Sequence, residues 1–232
     1  MKITKVTSAA LVSVLALGLS TGVANAAMNK AGSNCATSGI VKVEKKKAQL
    51  CTANASGDLK WTKPWKLNKL SKGTLESSDT WAKAASAGMS AAFGEVENNT
   101  DKAVTIVAAK SPYAKAVQLH EMVMKDGAMV MGEKKGGFTI QPGEALELEP
   151  GGNHLMFIGL KKTIKPGTSV PITLYTSDGG FIKMNFMGRN FAGANEEYPE
   201  GEMDDMPGHG SGDMPQHDSD KMPGNHMEGM RK

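Results

Sequence analysis

Four side chains carry the chemistry most worth explaining in this sequence: His120, Met131, His154 and Met156. Ten residues separate His120 from Met131, and twenty-two more separate Met131 from His154. Two imidazoles and two thioethers are neutral, soft donors, and none must lose a proton to bind. Zn(II) recruits thiolate, imidazole or carboxylate, and Mg(II) and Ca(II) recruit oxygen, so a set that draws half its donors from methionine suits Cu(I). His154 and Met156 are two residues apart, which on a strand puts both side chains on one face. His120 and Met131 flank Asp126-Gly127, a turn signal that can fold the second ligand back towards the first in a hairpin.

The residues around these ligands form a recognisable frame. It runs through Val117-Gln118-Leu119-His120-Glu121-Met122, Gly127-Ala128-Met129-Val130-Met131, Ile140-Gln141-Pro142-Gly143-Glu144 and Leu148-Glu149-Pro150-Gly151-Gly152-Asn153-His154-Leu155-Met156-Phe157. This frame resembles the PCu(A)C family of periplasmic copper chaperones, with their His-x10-Met…His-x-Met motif, over about Leu75 to Met187. The gap of twenty-two residues is one longer than the usual gap of that family, and an extra residue in the Gly132 to Gly137 turn would absorb it. The resemblance implies a Greek-key, cupredoxin-like β-sandwich with a Cu(I) site at the four residues, and the weak, charge-neutral donor set is read as solvent-accessible because thioethers exchange stepwise with those of an acceptor. It also implies delivery to a copper acceptor protein such as cytochrome c oxidase subunit II, or to another copper carrier. Scavenging or buffering of envelope copper is the alternative, and a non-metal structural sandwich is the alternative of another class.

Each ligand also has a plainer reading. Met131 and Met156 could be core methionines, and His120 and His154 polar residues at strand ends. Met122 and Met124 follow His120 at strand spacing and are read as packing first, with Met122, on the His120 face, as a secondary donor second; Met129 lies on the Met131 face and could substitute for Met131 but is read as packing, and Trp81 as structural because an indole offers no metal donor. Enzyme chemistry finds no support: G-x-S-x-G, H-E-x-x-H, the dinucleotide fingerprint and the P-loop are all missing from the sequence. A blue-copper electron carrier would need a cysteine thiolate, and both cysteines lie outside the resembling region.

The surrounding sequence supplies the elements. Short runs at Ser90–Glu97, Ala103–Ala109, Ala116–Met124, Ala128–Met131, Phe138–Ile140, Ala145–Glu149, His154–Leu160, Ser169–Tyr175 and Phe181–Met187 read as strands, separated by Gly, Pro, Asn or Asp. Periodicity alone gives an all-β antiparallel sandwich or barrel. Residues 1–26 read as a signal peptide ending at Ala24-Asn25-Ala26, which places the protein in the periplasm or at the extracellular face of the cell envelope. Its apolar run is too short for a membrane-spanning helix, so stable membrane insertion is not expected. No apolar residue of a lipoprotein signal precedes Cys35.

Residues 27–72 read as a small extension in which Cys35 and Cys51 pair as a disulfide, as two cysteines of an exported protein most often do. Three short strands are expected there, with Trp61 covering the bridge, and no chemistry is assigned. Residues 73–192 form the domain with the copper motif. Residues 193–232 are acidic and rich in Met and His, with ten acidic and three basic residues, net −7, against +8 for residues 27–192. Dispersed basic residues without interleaved aromatics make nucleic acid a poor partner. The tail repeats Met206-Pro207-Gly208-His209, Met214-Pro215-Gln216-His217 and Met222-Pro223-Gly224-Asn225-His226, and it also holds Met203, Met227 and Met230. Its composition predicts disorder without metal. Its thioethers are secondary candidates for Cu(I), while its histidines and the nearby Asp205, Asp213 and Asp218 suit Cu(II).

Overall fold

The computed structural model describes residues 27–125 and 127–193. The signal-peptide and tail readings lie outside the described residues. Fifteen strands run through the described chain, and no helix occurs among the described residues. Five belong to the extension: β1 (Val41–Glu44), β2 (Lys47–Ala53), β3 (Leu59–Trp61), β4 (Trp65–Lys66) and β5 (Asn68–Lys69). The others are β6 (Leu75–Lys83), β7 (Ser90–Asn98), β8 (Val104–Lys110), β9 (Ala114–Lys125), β10 (Ala128–Glu133), β11 (Phe138–Ile140), β12 (Ala145–Leu148), β13 (His154–Leu160), β14 (Ser169–Thr176) and β15 (Gly180–Arg189).

The large sheet closes on itself. Its hydrogen-bonded order is β9-β13-β7-β6-β15-β14-β8, and one further pairing, Ala109 with Val117, joins β8 back to β9. Seven strands therefore form a ring; β10 extends it at β9, β11 at β8, β12 at β7 and β5 at β15. Most pairings are antiparallel, as the short Gly- and Pro-punctuated runs predict, but β6 and β5 both lie parallel to β15. This parallel pairing departs from the antiparallel expectation, and it joins strands far apart in sequence, where local turn chemistry gives no signal. Inside the ring sit Val117, Leu119, Leu155, Phe157, Ile172, Leu174 and Phe186, all buried in one core. Alternation along each strand then assigns His120, His154 and Met156 to the opposite, outer face.

The sequence reading contains no strand at β6, because Glu76, Ser77, Ser78 and Asp79 break any apolar alternation. A bulge explains how this strand reaches the site. Pairing of β6 with β7 shifts register between Ser78 and Trp81, and Asp79 adopts a left-handed conformation, φ 49°. Gly94 faces the bulge at φ 128°, and a Cβ there would lie 2.6 Å from Thr80 Cα. Beyond the bulge, Trp81 pairs with Phe93.

The extension folds as a small sheet, with β2 between β1 and β3 and with β4 also paired to β2. The expected disulfide is present between Cys35 and Cys51, and Trp61 pairs directly with Cys51 and is buried. The extension packs on the ring: Val41 and Ala48 form one cluster with Ala108 and Tyr175, edged by Leu50, Trp65, Leu67 and Phe181. Lys110 Nζ donates to Val41 O at 2.8 Å across this seam. Burial lowers the Lys110 ammonium from its ordinary pKa, helped by nearby Lys161, and raises the Tyr175 phenol to about 12.

Candidate metal centre

The two histidines face each other. His154 on β13 is the direct cross-strand partner of His120 on β9, and their ring centroids are 5.3 Å apart. Met156, two residues further along β13, pairs with Gln118 and so lies on the same face beside them. Antiparallel register brings three of the four expected ligands together. Met131 sits one strand out, on β10, opposite Met122; the residue opposite His120 is Glu133. Met131 is thus diagonal to His120, at a spacing of about 7–8 Å between backbones that a long thioether side chain can cross.

The hydrogen-bond network assigns a tautomer to each imidazole. His154 Nδ1 lies 3.0 Å from Gly152 O, and a carbonyl only accepts, so Nδ1 carries the proton and Nε2 the lone pair. Gln118 Nε2 donates to Ser38 O at 3.3 Å, which turns Gln118 Oε1 towards His120 Nε2 at 2.8 Å. His120 Nε2 must then be the donor, and its lone pair sits on Nδ1. In this assignment the lone pairs fall on His120 Nδ1 and His154 Nε2, and both residues are buried. Metal-ligating histidines are characteristically held in this way, with one nitrogen tied to a carbonyl or amide and the other presented to the ion.

The sequence reading makes the site accessible to solvent. The structure buries most of it: His120 is 4% exposed, His154 0% and Met156 4%, while Met131 is half-buried. Neighbouring strands and the extension cause this. Phe93 lies 6.0 Å from the His154 ring, Trp81 lies 4.5 Å from Phe93, and Phe191 packs edge-on to Trp81 at 5.2 Å. On the β9 side Ser38 Oγ donates to Glu133 at 2.6 Å. Gly39, at φ 80°, lies so close that a Cβ would stand 2.7 Å from Val117 O. Exposure rises along the β9–β10 hairpin, from buried His120 through half-buried Met122 and Met131 to exposed Met124 and Met129.

Ser38, Gln118, Glu133 and Phe93 are site residues that the sequence reading missed. Gln118 was within reach, since it precedes His120 by two residues on one strand face. Ser38 had no signal, because eighty residues separate it from Gln118. Trp81 proves to be part of an aromatic wall beside His154. Met129 and Met124, read from sequence as packing, are 54% and 67% exposed and join no core cluster. They pair with each other at the hairpin's outer end, beyond the reach of the ring's interior.

Imidazole and thioether donors of this kind could hold copper. Among the described residues no three His, Cys, Asp or Glu side chains gather to hold a metal. The sulfur side chains placed near the imidazoles are Met156, on the same strand face, and Met131, across the hairpin.

Fold and site together define an all-β protein with a buried imidazole–thioether cluster on the outside of its ring. The family described as "Putative lipoprotein LpqE-like" matches residues 75–187. "Putative lipoprotein Lxx21020" of Leifsonia xyli subsp. xyli (strain CTCB07) is 44% identical over 124 residues, which cover 53% of this chain and 75% of that protein. The chain belongs to this LpqE-like family. Among solved structures, the copper-bound PCuAC domain from PmoF2 aligns at TM-score 0.43 and 17% identity, covering 53% of this chain and 99% of that domain. The solution structure of CuI-DR1885 from Deinococcus radiodurans aligns at TM-score 0.40 and 26% identity, covering 51% of this chain and 82% of that one.

Proposed function

We propose that this protein is a non-enzymatic copper carrier of the cell envelope. It holds Cu(I) through His120, His154, Met156 and Met131 and hands it to an acceptor protein. The observation that carries this reading is the direct pairing of His120 with His154, their rings 5.3 Å apart, with Met156 on the same face. A neutral donor set favours exchange: an acceptor's sulfur or nitrogen replaces one donor at a time, and no proton has to move. The PCu(A)C motif read from the sequence supports the same assignment, and we read the ring as a cupredoxin-like Greek key. The acceptor is a protein with its own copper site, such as cytochrome c oxidase subunit II.

Export agrees with the disulfide, a bond characteristic of oxidising compartments. The lipoprotein in the names of the family and its relative belongs to those proteins. Here Cys35 and Cys51 are the two cysteines of the sequence and are bonded to each other, so neither sulfur can also carry a lipid thioether while the bond stands.

Anaerobic competition with a chromophoric Cu(I) chelator tests the assignment. His120→Ala and Met156→Leu should each weaken binding at the domain site by about tenfold or more, the scale on which lost ligand support is felt. Wild-type affinity in both variants would remove the site.

A further inference from the structure

We propose that the outer face of the β9–β10 hairpin is a second Cu(I) station built of methionine sulfur. Met124 and Met129 are its exposed donors, Met122 is its inner donor, and Met131 is shared with the histidine site. The proposal rests on the copper-carrier reading for its direction of transfer, but its own evidence is separate. Register pairs Met131 with Met122 and Met129 with Met124. Directly opposed residues bring their Cβ atoms to about 4.5–5.5 Å, and methionine has three rotatable bonds, so either pair can put two sulfurs on one ion.

The segregation of sulfur by face separates this from ordinary packing or from an apolar docking patch. Along β9 and β10 one face presents Met122, Met124, Met129 and Met131; the other presents Val123 and Val130. A surface selected only to be apolar would have no reason to place every thioether on the face that leads to His120. Met124 and Met129 are 67% and 54% exposed, so burial does not account for them either. The stripe runs from these two, through half-buried Met122 and Met131, to buried His120.

Transfer along the stripe is ligand exchange without redox change. One sulfur–copper bond forms as another breaks, the ion stays monovalent, and no proton is released. Met131 is the pivot, because it opposes Met122 and is diagonal to His120.

The test is an anaerobic Cu(I) titration of the full-length chain carrying 13C-methyl methionine, with resonances assigned by single Met→Leu variants. The methyls of Met131 and Met156 should shift with the first ion at the domain, and those of Met124 and Met129 as more Cu(I) is added. The Met124→Leu/Met129→Leu double variant, isosteric and exposed, should load the histidine site severalfold more slowly at unchanged final affinity. If the Met124 and Met129 methyls stay fixed in excess Cu(I) while methyls elsewhere move, the station does not exist. Fixed resonances at Met131, Met156 and both imidazoles would instead overturn the histidine site, a result distinguishable from the first.

Discussion

Replacing Gln118 by leucine keeps the bulk of the side chain and removes both of its amide bonds, to Ser38 O and to His120 Nε2. If Gln118 only packs, copper binding will not notice. If it sets the His120 tautomer, the imidazole will populate both forms and present its lone pair at Nδ1 only part of the time. We expect Gln118→Leu to weaken Cu(I) binding by roughly tenfold, with imidazole 15N shifts showing a tautomer mixture. Ser38→Ala provides the contrast, because it removes the Oγ bond to Glu133 and leaves the carbonyl that orients Gln118. Its affinity should stay within about threefold of wild type, since one partly exposed hydrogen bond is worth about 1 kcal/mol or less. Equal losses in the two variants would show that the effect is packing or repulsion, not tautomer control.

At the scale of elements, strands were legible wherever apolar residues alternate between turn signals, and for that reason the two strands that carry both histidines were read from sequence. Phe138–Ile140 and His154–Leu160 match residue for residue, and the 120–131 hairpin was visible from Asp126-Gly127. What alternation could not show was β6, whose polar residues pair around a bulge, and the parallel partner it finds in β15. Nor could it show that the extension reaches the site, because a local pattern carries no information about contacts made across eighty residues. The bulge yields a sharp expectation. Gly94→Ala puts a Cβ against the Thr80 backbone at a positive φ and should cost about 1–3 kcal/mol, read as a lower urea midpoint, with altered Trp81 emission as the indole leaves Phe93. The disulfide yields another. Gly39 N–H donates to Cys51 O and Cys51 N–H donates to Ile40 O, so the bridge fixes the segment that presents Ser38. The sequence reading gave the disulfide no part in copper handling. A Cys35→Ser/Cys51→Ser variant should lose about 3 kcal/mol on the chain-entropy model. It should also bind Cu(I) more weakly, in the direction of Gln118→Leu, and wild-type affinity in the double variant would confine the bridge to stability.

For the whole molecule, the seam between extension and ring has a built-in alkaline limit, because Tyr175 is buried at its centre. Burial favours the neutral phenol, so the folded pKa of about 12 lies above the ordinary value near 10. The sign follows directly: stability from this group is fully present below about pH 10 and is lost as pH rises through 12, where the unfolded chain releases the proton more readily. Lysines titrate over the same range, including Lys110 at the seam, so absolute stability is a poor readout. The difference between wild type and Tyr175→Phe cancels that background. The variant should gain on the wild type between about pH 10 and 12 in urea unfolding, and a constant difference across that window would mean that the phenol is not buried at this seam in solution. If the seam loosens, Ser38 and Gln118 loosen with it, because the cluster that contains Tyr175 also contains Val41, three residues from Ser38. The His120 tautomer signal should therefore blur over the same pH window in wild type and stay sharp in Tyr175→Phe, which would tie the extension's packing to the geometry of the copper site.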